Sequence, residues 1–444
     1  MPYIPHTKAD EKEMLATIGV DSIDDLFHEI PKTLRYEGDL NVPSALDERA
    51  ILLSLGKIGR KNQDITKLVS FLGAGVYEHY VPSIVMELIS RGEFLSAYTP
   101  YQPEVSQGSL QAIYEFQSMI AEITGMDVCN ASMYDGATAL AEATIMASGI
   151  KNKTKILVCK SVHPHYRDCV KTFAEPVDCN VVEAEWEDLL AHIDDKTACV
   201  AFQYPDFFGR IRDPREIIKK IQESGALAIA ACEPVSLGVL EPPGKMGADV
   251  VVGEAQALGV PMGYGGPLVG YFCVKRELVR AIPGRIVGKT QDAEGRRGFV
   301  MTLRTREQDI RREKATSNIC TNQALMALCA TVWMAALGKN GFRHISETCI
   351  QKAHYAAEVL IRIPGVTLKF PNEPFAFEFL LDIGSDAKFT RDKLIDKRFL
   401  AGLPVSDYQD YQALKNCLLI AVTEVRTKIE IDDFAAELAK VLKS

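Results

Sequence analysis

The stretch from residue 247 to residue 274 reads GADVVVGEAQALGVPMGYGGPLVGYFCV: an apolar strand, a short break, a glycine-rich loop and a second strand. Helix-like stretches, such as residues 214–223, separate the short apolar segments that precede it, which are residues 156–159, 181–184, 199–202 and 227–231. Apolar strands that alternate with helices predict a largely parallel sheet covered on both faces. Ligands of such sheets bind at the carboxyl ends of the strands, so the residues that follow each strand are the candidates for function.

The break after the first strand of this stretch holds Gln256. In enzymes that bind pyridoxal phosphate on a parallel sheet, this position carries a lysine, because the aldehyde needs a primary amine to form a Schiff base. A carboxamide cannot form that imine, and the nearest lysines are Lys245 and Lys275. The strand at 227–231, where such folds carry the aspartate that pairs with the pyridine nitrogen, has no acid before Glu233. The chain therefore has the pattern of a cofactor-binding fold without the covalent anchor.

Composition narrows the class of protein. The 444 residues carry a net charge of −9 from 59 acidic and 50 basic side chains, which argues against nucleic acid or an anionic membrane as a partner. The eleven cysteines contain no CxxC pair and interrupt apolar runs, which is typical of reduced, buried thiols. The N-terminal sequence has neither a secretion nor a transit pattern, and we expect a cytoplasmic protein without a membrane span.

Three zones follow from the distribution of these patterns. Residues 1–65 are predicted as an N-terminal helical arm, and residues 66–330 as a large α/β domain that includes a helix over 109–124. Residues 331–444 are predicted as a small C-terminal α/β domain with a partly antiparallel sheet. A helix expected at 322–337 leads into this domain, and a second helix is expected within it at 347–363.

Two motifs are candidates for contacts with a phosphorylated cofactor. The amides of Gly136 and Ala137 and the Thr138 hydroxyl lie where a helix begins and can hold a phosphate there, although Asp135 followed by small residues is also a common helix cap. His163 follows a predicted strand and can stack on a planar ring, or be an ordinary loop histidine.

The other polar motifs point away from metal and nucleotide chemistry. Neither the eight histidines nor the cysteines have the spacing of a metal site, and the glycine-rich strings lack the strand-to-helix context of a nucleotide fingerprint. Residues 285–314 carry nine basic and five acidic side chains, which together with their glycines predict a mobile loop that meets an anion or is merely solvated. Prolines keep the segment with Tyr98 and Tyr101 extended.

Four longer strings carry a resemblance to a known family. They are SFLGAGVYEHYVP (70–82), AYTPYQPEVSQGSLQ (97–111), GVPMGYGGPLVGYF (259–272) and RGFVMTLRTREQDIRREKATSNICTNQAL (297–325). These strings resemble the P protein of the glycine cleavage system, glycine decarboxylase, and within that family the subunit 1 branch, which corresponds to the N-terminal half of the single-chain enzyme. The match runs over essentially the whole chain.

The resemblance implies the aspartate-aminotransferase-like fold, fold type I of pyridoxal phosphate enzymes. It also implies that the cofactor lysine lies in the other half of the enzyme, in a histidine-lysine pair whose counterparts here are Ala255 and Gln256. We then expect two copies of subunit 1 and two of subunit 2, with pyridoxal phosphate held by subunit 2. Glycine is decarboxylated, and its aminomethyl group passes to the lipoyl arm of the H protein.

The same resemblance suggests how the residues divide between two sites. This chain is expected to be inactive alone and to lend side chains to its partner's pocket, namely Tyr98, Tyr101, Arg304, Arg306, Thr316, Ser317, Asn318 and Thr321. Each of these residues can instead be ordinary interface packing. Its own pocket is expected to be vestigial, around Gly136, Thr138, His163 and Gln256.

Two rival hypotheses stay open on the sequence. The chain can be a self-sufficient pyridoxal phosphate enzyme that uses an unexpected lysine such as Lys275. Alternatively, it can be a non-catalytic regulatory or assembly subunit built on a degenerate enzyme fold.

Overall fold

The first 63 residues form a small helical unit. The computed structural model describes residues 5–36 and 38–443, in two compact units, Met1–Gln63 and Asp64–Ser444. The first unit contains α1 (Lys8–Ile18) and α2 (Glu48–Gly59), with 3-10 turns at Ile23–Phe27 and Lys32–Leu34. A capping box of Thr7 and Asp10 begins α1, and Gly19 ends it with a φ of 87°. None of the described residues of this unit is buried, so its helices form no core of their own.

The second unit contains all the strands among the described residues. In chain order they are β1 (Val69–Ser70), β2 (Val128–Cys129), β3 (Lys155–Cys159), β4 (Asn180–Ala184), β5 (Thr197–Tyr204), β6 (Leu227–Cys232), β7 (Val250–Glu254), β8 (Gly270–Val274), β9 (Ile286–Gln291), β10 (Arg297–Thr302), β11 (Thr367–Leu368), β12 (Glu378–Asp382), β13 (Phe399–Leu400), β14 (Leu403–Pro404) and β15 (Cys417–Ala421).

Helices cover these strands and supply most of the remaining core. They are α3 (Ser83–Ile89), α4 (Gly92–Leu95), α5 (Gln107–Thr124), α6 (Gly136–Lys151), α7 (Pro164–Ala174), α8 (Arg215–Glu223), α9 (Gln308–Arg311), α10 (Ala324–Leu360), α11 (Ala387–Ile395) and α12 (Lys428–Lys443). The helix predicted at 109–124 is confirmed as α5.

A seven-stranded sheet in the order β2-β8-β7-β6-β5-β3-β4 organises the second unit. Every residue of β6, β7 and β8 is buried, as expected of apolar strands covered on both faces. Strands β3 to β7 pair in parallel, and β8 runs antiparallel to β7. The mostly parallel sheet predicted from the sequence is confirmed. The two strands of the 247–274 stretch are neighbours of opposite direction, so its glycine-rich loop connects them at the carboxyl end of β7.

A smaller antiparallel sheet, β11-β12-β15-β14, lies toward the C-terminus of the same unit. The two helices predicted at 322–337 and 347–363 are both part of α10, which Gly338 interrupts with a φ of 63°. The second half begins directly after Gly338, earlier than predicted, because the single Gly341 between 339 and 346 does not end the helix. The predicted division into domains at 330/331 stays a prediction.

The length and composition of α10 alone are compatible with a membrane span. Gly338 divides the helix, and the apolar stretch before it is 14 residues long, or about 21 Å at 1.5 Å per residue, which is short of a bilayer core of about 30 Å. Half of the 14 residues of that stretch are buried, among them Trp333, which is fully buried. These features are those of a core helix.

The prediction of a mobile loop at 285–314 is wrong for residues 286–302, which form the antiparallel hairpin of β9 and β10. Two glutamines of α5 hold this hairpin. The Gln107 side chain donates to Phe299 O at 2.9 Å and accepts from Phe299 N at 2.8 Å. Gln117 makes the same pair of bonds with Val287, both at 2.9 Å. A carboxamide matches both groups of one residue's backbone, which orders a segment whose glycines and charges suggested mobility.

Candidate functional site

The residues that follow β3, β6 and β7 surround a small polar cavity at the carboxyl ends of the parallel strands. The cavity measures about 30 Å³ and is lined by Gly75, Tyr77, His163, Tyr166, Gln203, Ala231, Cys232, Glu233 and Glu254. A second cavity of about 20 Å³ adjoins it and shares Tyr77, Gln203 and Glu233. Since one water needs roughly 10–15 Å³, this space suits one or a few waters.

Gln256 is buried beneath this cavity and bonds to the backbone of a distant segment. Its Nε2 donates to Tyr77 O at 3.2 Å and to Val260 O at 2.8 Å, and its Oε1 accepts from Tyr77 N at 3.0 Å. A lysine ammonium has donors only and cannot accept from Tyr77 N. The residue that replaces the Schiff-base lysine is therefore a structural clamp on the segment around Tyr77.

Glu254, the last residue of β7, fills the expected phosphate position. Its carboxylate accepts from Gly136 N, at the first turn of α6, at 3.0 Å, and from Gln256 N and Val269 N at 2.9 Å each. Burial raises the pKa of Glu254 to about 7 even against these donors. A carboxylate of the chain itself thus occupies the helix N-terminus, where an anion is stabilised.

The Thr138 hydroxyl of the predicted cradle is also bonded within the chain. Asp135 caps α6 by accepting from Thr138 N at 2.7 Å, and the Thr138 hydroxyl donates to the same carboxylate at 3.0 Å. A Cβ added to Gly136 would lie 2.1 Å from the Tyr166 hydroxyl, so the space above this glycine is already filled. The helix-cap interpretation of this motif describes Asp135 and Thr138 as they stand in the structure.

His163 is the N-cap of α7 and a neutral member of the cavity wall. Burial and the neighbouring His165 lower its pKa to about 4. Its Nε2 therefore donates to Ala74 O at 3.0 Å, while Nδ1 accepts from His165 N at 3.1 Å. The ring lies edge-on to Phe207, with centroids 5.0 Å apart. Both ring nitrogens and one edge of the ring are thus engaged by this chain.

Two further acidic residues line the cavities, Glu233 and the buried Glu378. Glu378 of β12 accepts from Ala74 N at 2.6 Å and from the Tyr77 hydroxyl at 2.8 Å, and burial raises its pKa to about 7. Glu233 accepts from Val235 N at 2.8 Å, and burial also raises its pKa. With Glu254, these residues make the cavity rich in carboxyl groups, which repel a phosphate when they ionise.

The residues of this pocket do not fit pyridoxal phosphate. Gln256 stands where the Schiff-base lysine would lie, and the Glu254 carboxyl group occupies the N-terminus of α6. The remaining space has room for only a few waters. Sequence analysis missed Glu254, Tyr77 and Glu378, although an acid that ends an apolar strand, as Glu254 does, is a usable signal.

Tyr101 and Arg304, two of the residues predicted to serve a partner, lie against each other on the second unit. Tyr98 is 84% exposed, and Tyr101 is half exposed. The guanidinium of Arg304 lies 5.0 Å from the Tyr101 ring centroid, and that of Arg285 lies 5.7 Å from it. Arg304 also pairs with Asp309 at 3.0 Å. The structure therefore brings Tyr101 and Arg304 together and adds Arg285.

Arg306 points inward. Its guanidinium donates to Ile282 O and, at 2.7 Å, to Gly284 O, and burial lowers its pKa. It holds the turn before β9 rather than standing on the surface beside Arg304.

The predicted hydroxyl-rich run lies between α9 and α10. Thr316 and Asn318 are exposed, and Ser317 and Thr321 are half-buried. Ser317 bonds to the carboxyl of Glu142 in α6, whose pKa burial raises to about 7. The run is thus anchored to the same helix whose N-terminus receives Glu254, while two of its polar side chains remain at the surface.

A separate group of His79, Cys349 and Glu424 brings ligand-type atoms within 4.8 Å of one another. Their distances are those of hydrogen bonds: Glu424 Oε2 lies 2.7 Å from His79 Nδ1 and accepts from Cys349 Sγ at 3.3 Å. Glu424 lies 75 positions from Cys349 and 345 positions from His79, so the sequence shows no metal-site spacing for this group. The expectation of no metal site stays a prediction.

Comparison with known proteins gives the family. The family model described as glycine cleavage system P-protein matches residues 1–438 of this chain. The chain belongs to this family. A relative from Geobacillus sp. (strain WCH70), named probable glycine dehydrogenase (decarboxylating) subunit 1, is 52% identical over 444 residues and 98% of both chains. The resemblance drawn from the four sequence strings is confirmed.

Solved structures agree on the fold of this P-protein family member. A crystal structure of glycine decarboxylase (P-protein) of the glycine cleavage system, in inhibitor-bound form, is 41% identical with a TM-score of 0.92, over 99% of this chain and all of its own. Glutamate decarboxylase of Lactobacillus brevis, at 14% identity and a TM-score of 0.66 over 92% and 95% of the two chains, shares the fold alone. The predicted fold type I is confirmed.

Replacing Gln256 by methionine tests the clamp. Gln256→Met keeps the side-chain length but leaves Tyr77 N, Tyr77 O and Val260 O without partners in a buried site. We expect the free energy of unfolding to fall by roughly 1–3 kcal/mol, measured by denaturant titration. Gln351→Met, on the exposed face of α10, is the control, and equal losses in both variants would contradict the clamp.

The pH dependence of stability tests Glu378. Because burial raises its pKa from 4.5 to about 7, the folded chain binds a proton that the unfolded chain releases between these values. The contribution of Glu378 to the free energy of unfolding is fully present below the pKa of this group in the unfolded chain. It is lost as the pH rises through the pKa of this group in the folded chain. Glu378→Gln should flatten the fall in unfolding free energy between about pH 5 and about pH 7, by at most about 1.4 kcal/mol per pH unit. Exposed Glu277→Gln should leave the slope as in the wild type; identical slopes in all three proteins would refute the assignment.

Proposed function

We propose that this chain is the half of a two-subunit glycine decarboxylase that does not hold the cofactor. In this proposal a second subunit holds pyridoxal phosphate, the complex decarboxylates glycine, and the aminomethyl group passes to the lipoyl arm of the H protein. The name of its relatives, glycine dehydrogenase (decarboxylating) subunit 1, supports the reaction and implies a second subunit. The observation that carries the division of labour is the pocket closed by Glu254 and Gln256.

The position of Lys275 argues against a self-sufficient enzyme. Strand β8 runs antiparallel to β7, so Lys275 follows the end of β8 that lies beside the start of β7. Its ammonium pairs with Asp249 Oδ1 at 2.5 Å. The length of β7, five residues or about 16 Å at 3.3 Å per residue, separates this end of the sheet from Gln256. An amine so placed and paired does not serve the cavity.

The surface around Tyr101 supports a role at the partner's site. Arg304 stacks on the Tyr101 ring, and Tyr98 lies exposed near it in the chain. A guanidinium beside phenol groups can bind the carboxylate of glycine or a cofactor phosphate across an interface. In the proposed complex these side chains orient the anion and exclude water, and the hydroxyl groups of the 316–321 run add neutral donors. When bound by subunit 2, pyridoxal phosphate supplies the electron sink for decarboxylation.

Assembly and location complete the proposal. We expect a complex of two copies of each subunit, with glycine and the lipoylated H protein as further partners and without nucleic acid or membrane. All eleven cysteines are free thiols, which agrees with a reducing compartment such as the cytoplasm.

Reconstitution with subunit 2 tests the contributed residues. We expect no glycine–bicarbonate exchange from either subunit alone and full exchange from the mixture. Tyr98→Ala, Arg304→Ala and Thr321→Ala should each lower exchange by about tenfold or more, because each removes a group that positions the reactants. Arg343→Ala, on the exposed surface of α10, is the control. Wild-type rates from all three variants would refute the contribution, and full activity of subunit 2 alone would favour a regulatory role instead.

Covalent trapping tests where the cofactor binds. After incubation with pyridoxal phosphate, removal of the unbound cofactor and reduction with borohydride, this chain should stay colourless and carry no stoichiometric adduct on any one lysine, because none of the described residues that line its cavity is a lysine. Mass spectrometry of the reduced complex should find the adduct on subunit 2. An adduct on Lys275 of this chain would establish the self-sufficient enzyme.

A further inference from the structure

Arg285 is a buried cation without an ion pair. Its side chain is 7% exposed, and no carboxylate in residues 5–36 and 38–443 forms a salt bridge with it. Its Nε is buried without a hydrogen-bond partner. Glu307 interacts electrostatically with Arg285 but forms neither a salt bridge nor a hydrogen bond with it. Burying a charge without a direct counter-charge costs several kcal/mol, so such a residue is expected where it has a task beyond packing.

The bonds of Arg285 join two segments that are far apart in the sequence. One terminal nitrogen, Nη2, donates to the Tyr101 hydroxyl at 3.3 Å and to Cys320 O at 2.5 Å. Tyr101 belongs to the extended 98–103 segment, and Cys320 directly precedes Thr321 in the hydroxyl-rich run. Both segments hold residues of the proposed contribution to the partner's site.

The backbone at Arg285 is held rigidly. The Arg285 carbonyl accepts from Ala131 N at 2.8 Å. Pro283 O accepts from Asn130 Nδ2 at 3.1 Å, and Gly284 O accepts from Arg306 at 2.7 Å. The base of the Arg285 side chain is thus fixed to the large sheet, while its tip reaches the two surface segments. The buried Arg306 guanidinium helps to hold this turn through its bond to Gly284 O.

We propose that Arg285 is a positioning residue for the decarboxylation site: it holds the Tyr101 phenol and the backbone next to Thr321 at a fixed separation, so that both meet the partner's pocket together. This proposal rests on the proposed function. Arg285 acts through Tyr101 and Thr321 and does not itself touch the reactants. The Arg304 and Arg285 guanidinium groups both lie against the Tyr101 ring, 5.0 Å and 5.7 Å from its centroid, so two cations contact one phenol.

A lysine cannot replace Arg285 in this role. The planar guanidinium presents its N–H donors in a fixed fork, and one nitrogen serves both acceptors at once. A lysine ammonium keeps the charge but is a mobile point donor on a flexible stem. The charge-conserving variant Arg285→Lys therefore separates geometry from charge.

The test is a double-mutant cycle of Arg285→Lys and Tyr101→Phe in the complex reconstituted with subunit 2. Tyr101→Phe removes only the hydroxyl that Arg285 bonds. We expect each single variant to lower kcat of glycine–bicarbonate exchange by about tenfold, and the double variant to be no slower than the slower single one, because both remove the same constraint. The KM for glycine and the Kd of subunit assembly should change by less than about threefold, and Arg343→Lys should match the wild type.

Several results would overturn the positioning role. They are effects on kcat that multiply in the double variant, a change confined to assembly or melting temperature, or a wild-type kcat for Tyr101→Phe. The last result is decisive even when Arg285→Lys does not fold, since Tyr101 is half exposed and its change removes one oxygen. A wild-type chain that adds no activity to subunit 2 refutes the proposed function itself, which distinguishes the two failures.

Discussion

The pairing of the Gln256 carboxamide with the backbone of Tyr77 joins the end of β7 to a segment 179 positions earlier in the chain. The position of Tyr77 then fixes its hydroxyl against Glu378 of the small antiparallel sheet. One side chain thus links the large sheet, the 70–82 segment and, through Tyr77, the small sheet. An amide can make this link because it both donates and accepts, whereas the lysine that catalysis requires cannot.

The closed pocket follows from the same constraint together with the charge of Glu254. The N-terminus of α6 favours an anion, and in a working cofactor site of this fold that anion is a phosphate. Here the Glu254 carboxylate supplies it from two residues before Gln256. Because the carboxyl group is covalently part of the chain, it is always present at this helix N-terminus, and it accepts from Gly136 N without a cofactor. The carboxamide at position 256 and the internal carboxyl of Glu254 are therefore two features of the same pocket.

The polar side chains that we propose this chain offers to a partner lie elsewhere, around the hairpin of β9 and β10. Gln107 and Gln117 fasten that hairpin to α5 with the same two-bond pairing that Gln256 uses. On this support Arg285 reaches Tyr101 and Cys320. A rigid hairpin and a buried guanidinium explain how short, extended surface segments can hold phenol and hydroxyl groups in a defined arrangement.

The sequence by itself determined the strands of the parallel sheet, the helix α5, the absence of an amine at Gln256 and the family, because apolar periodicity and long specific strings are local properties of a chain. It predicted a loop where β9 and β10 form a hairpin, and it grouped Arg306 with Arg304 as a side chain offered to a partner, whereas the Arg306 guanidinium bonds to the backbone of Ile282 and Gly284. Only the tertiary structure decided that Glu254 meets Gly136, that Gln256 meets Tyr77 and that Arg285 meets Tyr101. The partners in these contacts are separated by 118 to 184 positions, and single polar side chains carry no period that marks which distant backbone or hydroxyl they will bond.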